Sequence, residues 1–101
     1  MVFIAFASFP YDRLKEAAKV FLALKPLPAS IKRRGPYFKI IAGAAIEVVT
    51  LYEFDPAFNS KAEKFLASRY KPFTEVPGFS VAIENRLDLQ EAVLKLQINP
   101  P

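Results

Sequence analysis

Residues 2–9 read VFIAFASF, and this stretch decides how the chain folds. Seven of its eight side chains are apolar, and the exception is Ser8. In a β-strand successive side chains point to opposite faces of the sheet, so the even-numbered and odd-numbered residues separate. Both sets are apolar here, which predicts a strand in a sheet whose two faces are both covered. The sequence leaves open which set faces the helices.

Length and composition predict a single globular domain over residues 1–101. Hydrophobic residues make up 52% and charged residues 24%, the balance of a folded protein. The chain has no Cys and no His, which excludes disulfides, cysteine zinc sites and catalysis by Ser-His-Asp or Cys-His groups. No stretch approaches the ~20 apolar residues of a membrane helix. We therefore expect a cytoplasmic protein that has no metal, no cofactor and no membrane partner.

Two helical patterns follow the first strand at different points of the chain. Residues 11–26 place apolar side chains at helical spacing, including Leu14 and Leu22, and Pro26 is expected to stop that helix. A second helix follows Asp55, where Ser60 and Glu63 have the spacing of a capping box. Both helices therefore have an apolar side suited to covering one face of a sheet.

The remaining segments predict three more strands and a last helix. A basic loop leads into a strand over residues 37–42, and a turn around Gly43 joins it to a strand over 46–54 as a hairpin. Residues 79–86 alternate like a strand, and a short helix starts after Asp88 with Glu91 three residues on as its cap. The order is βαββαβ plus a C-terminal helix, which predicts an α+β, ferredoxin-like fold with a four-stranded antiparallel sheet.

In that fold both long helices lie on one face of the sheet, so the other face stays open. Whichever set of the first strand faces away is apolar, and Val49 and Leu51 share one face of the third strand. Together they predict an apolar patch of several hundred Å², larger than soluble monomers usually expose. A second copy of the chain is the simplest cover, so we expect a homodimer.

The strand order, the apolar second face and two segments resemble the dimeric α+β barrel superfamily. The segments are VVTLYEFD at 48–55 and, after a helix, FTEVPGFSVAI at 73–83. The resemblance implies that two ferredoxin-like sheets pair face to face around a pocket. Members of the superfamily include small-molecule monooxygenases, isomerases, stress-responsive proteins and ligand-sensing domains. The resemblance therefore implies a homodimer that binds a small organic ligand in an apolar pocket.

A cofactor-independent enzyme acting on a small hydrophobic substrate is the first alternative function. Glu47, Glu84 and Tyr52 are its candidate catalytic groups, because a carboxylate or phenolate in a dry pocket can accept a proton. Tyr37, Thr50 and Tyr52 are the candidates for lining the pocket. Carboxylates near strand ends are more often solvated or ion-paired, and aromatic side chains in strands are more often core.

Nucleic-acid binding is the second alternative, and it rests on the segment IKRRGPYFK at 31–39. Lys32, Arg33 and Arg34 suit phosphate contacts, and Tyr37 could stack on a base. The same composition is typical of a solvated loop before a strand. The third strand also lacks the glycine and the basic residue of the usual RNA-binding octamer. Nucleic acid is therefore the less favoured partner.

Overall fold

The structure is a computed structural model that describes residues 1–98. Short 3-10 turns precede both long helices, and another follows the second. None of the helices in residues 1–98 is long and apolar enough to span a membrane. In chain order the strands and α-helices of the described residues are β1 (Val2–Pro10), α1 (Leu14–Ala23), β2 (Ile31–Ile41), β3 (Ala45–Phe54), α2 (Asn59–Tyr70), β4 (Ser80–Arg86) and α3 (Leu89–Ile98).

The four strands form one antiparallel sheet in the order β2-β3-β1-β4. β3 pairs antiparallel with both β1 and β2, and β1 pairs antiparallel with β4. As a result β1 and β2 run in the same direction with β3 between them, and β3 and β4 do so with β1 between them. The α+β class and the four-stranded antiparallel sheet are confirmed, and the arrangement is compatible with a ferredoxin-like fold.

The odd-numbered side chains of β1 face the helices and form the core with the matching side chains of β3. Phe3 lies opposite Tyr52 in the register, and Phe9 lies opposite Ile46. The core cluster that α2 covers contains Phe3, Ala5, Tyr52, Phe54, Ala62, Leu66, Tyr70 and Phe73. The core cluster that α1 covers contains Ala7, Phe9, Ala17, Ile46, Val48 and Val76.

The basic segment is part of β2, so the prediction of a basic loop is wrong. β2 begins at Ile31, and its residues up to Arg34 pair with the end of β3. A bulge between Arg34 and Tyr37 absorbs Gly35, whose φ is +93°. β2 is an edge strand, where a bulge and a residue without an N–H donor are both tolerated. The hairpin around Gly43 is confirmed.

The two predicted helix caps have different outcomes. At α3, the Asp88 carboxylate accepts the Glu91 backbone N–H at 2.8 Å, and the Glu91 carboxylate accepts the Asp88 N–H at 3.3 Å. This capping box is confirmed. α2 instead begins before Ser60, and no side chain caps its start. The Asp55 carboxylate accepts the N–H of Ala57 at 3.0 Å in the preceding 3-10 turn.

Candidate functional site

The sheet face that points away from the helices, here named the open face, is arranged in rows across all four strands. Residues directly opposite each other in neighbouring strands share a face, so the register assigns the members of each row. Written from β4 through β1 and β3 to β2, the rows are Ser80, Ser8, Glu47 and Lys39; Ala82, Phe6, Val49 and Tyr37; Glu84, Ile4, Leu51 and Arg34; and Arg86, Val2, Glu53 and Lys32.

The middle of the open face is apolar and accessible. The second row combines Ala82, Phe6 and Val49 with the aromatic ring of Tyr37. Phe6 is 40% exposed and Tyr37 is 59% exposed, so the two largest side chains of this row are in contact with solvent. The third row continues this patch with Ile4 and Leu51, and the polar and charged side chains around them form its rim. An exposed apolar patch with a polar rim is typical of an interaction site.

The open face is nearly balanced in charge. Its ion pairs are exposed: Lys39 lies 4.0 Å from Glu47, and Arg86 lies 3.0 Å from Glu84. Such pairs contribute little energy in water. The face carries four cations against three carboxylates, and three of the cations lie on β2, the full set being Lys32, Arg34, Lys39, Arg86, Glu47, Glu53 and Glu84.

The structure separates the three catalytic candidates. Glu47 and Glu84 lie on the open face, where both are exposed and each is paired with a cation. Tyr52 lies on the opposite face, where it is 3% exposed beneath α2. The two carboxylates and the tyrosine are therefore on different sides of the sheet, and their catalytic role stays a prediction.

Tyr52 belongs to a buried hydroxyl pair. Its hydroxyl is hydrogen-bonded to that of Tyr70 at 2.8 Å, and the two rings meet edge to face with centroids 6.4 Å apart. Burial raises the pKa of Tyr70 well above its ordinary value, and the hydrogen bond with Tyr52 acts in the same direction. Tyr70 therefore stays neutral, and its hydrogen bond with Tyr52 holds α2 against β3.

The three ligand-binding candidates also lie apart. Thr50 is buried on the helix side of β3, as is Tyr52, whereas Tyr37 is exposed on the open face opposite Val49. Strand alternation produces this separation. A pocket on the open face would contain Tyr37 alone of the three, so their shared binding role stays a prediction.

Strand alternation divides the basic cluster in the same way. Lys32 and Arg34 point to the open face, opposite Glu53 and Leu51. Arg33 lies opposite Tyr52 and so points to the helix side. The three cations do not form one surface for a phosphate backbone.

A groove on the helix side was not predicted, and we name it the α1–β2 groove. It has a volume of about 380 Å³ and is lined by Phe9, Leu14, Ala18, Phe21, Leu22, Arg33, Pro36 and Phe38. Sequence reasoning assigned Leu14 and Leu22 to the contact with the sheet. At 100° per residue the apolar arc of α1, from Val20 round to Leu22, is about 200° wide, which is more than a helix buries against a single sheet. The width of this apolar arc is the sequence feature that could have predicted an exposed apolar side of α1.

Neither surface contains a metal site. Within residues 1–98, no three His, Cys, Asp or Glu side chains are grouped so that they could hold a metal ion. No known protein family, curated protein or solved structure matches this chain. The likeness to the dimeric α+β barrels therefore stays a resemblance in pattern.

Proposed function

We propose that this protein is a homodimer in which two ferredoxin-like sheets meet through their open faces and bind a small apolar organic molecule between them. The row of Ala82, Phe6, Val49 and Tyr37 carries the proposal, because it places exposed apolar side chains in the middle of a polar-rimmed surface. Contact with a second copy removes this surface from water, which is the main driving force of protein association.

The size of the open face suggests that α3 also takes part. Four strands and four rows cover about 19 by 23 Å, or roughly 440 Å², from standard strand spacing and rise. A stable interface buries about 800 Å² on each side. Leu89, Val93 and Leu96 are exposed along one side of α3. α3 starts beside the open face, because Asp88 and Val2 line the same depression. These side chains would enlarge the contact.

Charge and side-chain size favour one arrangement of the two copies. A twofold axis parallel to the strands places β2 of one copy over β4 of the other and each row over itself. Arg34 then lies over Glu84 of the second copy, and the large side chain of Tyr37 lies over the small Ala82 of the second copy. The apolar rows also meet at the centre.

A twofold axis perpendicular to the strands is less favourable. It reverses the order of the rows, so that Glu47 lies over Glu53 of the second copy and Lys39 lies over Lys32 of the second copy. Both of these contacts join like charges. The parallel axis produces one contact between like charges, that of Lys32 with Arg86 of the second copy. The attraction between Arg34 and Glu84 of the second copy offsets it. We therefore favour the parallel axis.

The small side chains near β4 provide room for a ligand in this arrangement. Ser8 and Ser80 are short, and their hydroxyls are 3.0 Å apart on the open face. The face above them is therefore shallow beside the ring of Phe6. A molecule bound there would have an apolar body against Phe6 and Val49 and a polar group near the serines.

Charge exchange tests the arrangement, with dissociation of the dimer followed by analytical ultracentrifugation. We expect Arg34→Glu and Glu84→Arg each to weaken dimerisation by about tenfold, since each changes two rim contacts per dimer. The double exchange is expected to restore it. Lys64→Glu on α2, an exposed position on the helix side, is the control and should change nothing. A wild-type protein that stays monomeric at all concentrations would refute the dimer. Failure of the double exchange to restore dimerisation would refute the parallel axis.

Native mass spectrometry of protein purified without added ligand tests the binding function. We expect a dimer that carries extra mass, and the extra mass should disappear under denaturing conditions. The released compound can then be identified by its mass. A dimer without added mass, whose melting temperature no apolar compound raises, would contradict ligand binding and leave only the dimer.

A further inference from the structure

We propose that the α1–β2 groove is a second binding site, specific for an amphipathic monocarboxylate whose alkyl chain lies along the groove and whose carboxylate pairs with Arg33. The groove is on the helix side of the sheet, so it stays accessible when the open faces pair. The proposal is therefore independent of the dimer.

The shape of the groove follows from the side chains of α1. Leu14, Ala18 and Leu22 are spaced four residues apart and lie along one side of the helix. The short Ala18 leaves a notch between the two leucines. Leu22 is 88% exposed, which is a high value for a leucine on a helix that packs against a sheet. This side of α1 is apolar, yet the protein itself does not bury it.

The opposite wall and the floor are also apolar. Phe38 of β2 is 51% exposed, and its ring meets that of Phe21 edge to face with centroids 6.3 Å apart. Phe9 is fully buried and forms the floor, and Pro36 closes the wall. A bound alkyl chain would therefore contact carbon atoms on both sides and beneath.

In the part of the chain that the structure describes, Arg33 is the one charged residue that lines the groove. Among residues 1–98 no carboxylate lies within 4.0 Å of its guanidinium group. A guanidinium group offers paired N–H donors that match the two oxygens of a carboxylate. An apolar groove with one unpaired cation at its edge therefore favours a ligand with one anionic group and an apolar tail.

The volume indicates the length of the ligand. If each non-hydrogen atom of a ligand takes roughly the 30 Å³ that a water molecule occupies in the liquid, 380 Å³ admits about 12 such atoms. Decanoate, with ten carbons and two oxygens, has that size. A hydrophobic helix from another protein would also cover the leucines, but it would need an added acidic residue to pair with Arg33.

Isothermal titration calorimetry with decanoate tests the proposal. We expect one decanoate per chain, and octanoate should bind about tenfold more weakly because two methylene groups are lost. Decanol, which lacks the charge, should also bind about tenfold more weakly than decanoate. Arg33→Gln should abolish the difference between decanoate and decanol, whereas Lys64→Gln, an equal loss of charge on α2, should preserve it.

A second variant tests the position of the alkyl chain. Ala18→Leu fills the notch and should abolish the binding of both compounds while the melting temperature stays near that of the wild type. Arg34→Glu on the open face should leave decanoate binding unchanged, which separates this site from one between the sheets. The proposal fails if decanoate does not bind, or if Arg33→Gln keeps its preference for decanoate. Loss of self-association in Ala18→Leu without decanoate binding would assign the groove to a second copy and also overturn the proposal.

Discussion

The buried hydroxyl pair of Tyr52 and Tyr70 permits a stability prediction with a definite sign. Each single change to Phe removes the 2.8 Å hydrogen bond and leaves the other hydroxyl in the core without this partner. The lost bond costs about 1 kcal/mol and the isolated hydroxyl about 1 kcal/mol more. The double change removes the bond but leaves neither hydroxyl, so it should cost only about 1 kcal/mol.

Urea unfolding at one fixed protein concentration measures these values for the wild type and the three variants. We expect each single variant to lose about 2 kcal/mol, and the coupling energy of the cycle to be about 3 kcal/mol, at the upper end for residues in contact. Additive single effects would refute the reasoning, because they would mean that the two hydroxyls do not depend on each other.

The same pair predicts a loss of stability at alkaline pH. Burial raises the pKa of Tyr70 in the folded protein, whereas a tyrosine in the unfolded chain ionises near pH 10. The neutral form therefore stabilises the folded state fully below pH 10, and this stability is lost as pH rises above 10, by about 1.4 kcal/mol per pH unit. Tyr70→Phe should reduce this slope, and Tyr11→Phe, at an exposed position, is the control. An unchanged slope in Tyr70→Phe would contradict the assignment.

Two further predictions concern a turn and the last helix. Gly43 and Gly78 both have positive φ angles, but a Cβ at Gly78 would lie 2.7 Å from the ring of Pro10 while one at Gly43 meets nothing within 4 Å. In urea unfolding, Gly43→Ala should lower the free energy of unfolding by about 1 kcal/mol, and Gly78→Ala should lower it clearly more. Equal losses would show that the ring of Pro10 moves to accommodate the added Cβ. The double variant in which Val93 and Leu96 are each changed to Lys should weaken the dimer in ultracentrifugation without lowering the helix content. An unchanged dissociation constant of the dimer would exclude α3 from the interface.

The sequence of β1 predicts the strand but not which of its two faces is buried. Alternation identifies the strand, but both sets of side chains are apolar, so polarity cannot decide which set faces the helices. The structure buries the set that contains Ala5 and Ala7. These short side chains leave room for the helix layer between Phe3 and Phe9. The other set lies opposite Glu47 and Glu53 of β3, so the pairing with β3 also assigns the two faces, and that pairing joins residues far apart in the sequence.

The start of β2 shows a different limit. Gly35 and Pro36 are typical of a turn, and the sequence therefore predicts a loop there. Pairing with the end of β3 outweighs that local preference and extends the strand back to Ile31. Once the segment is a strand, alternation sends Arg33 and Arg34 to opposite faces. The two cations are adjacent in the sequence, but only the register shows that Arg33 lies on the helix side and Arg34 on the open face.

The two faces of the sheet have exposed apolar surface for different reasons, and on the helix side the reason is the length of α1. α1 has ten residues and β2 has eleven, so α1 is about 15 Å long and β2 about 36 Å. The helix layer is too short to cover the edge strand, and Phe38 and Ile40 stay exposed on the helix side. On the other face no layer of the described chain covers Phe6, which is 40% exposed. Two uncovered apolar regions on opposite sides call for two different occupants. The charge near each region distinguishes them. Among the described residues no carboxylate pairs with Arg33 beside the groove. The open face instead carries both cations and carboxylates, which can pair with those of a second copy.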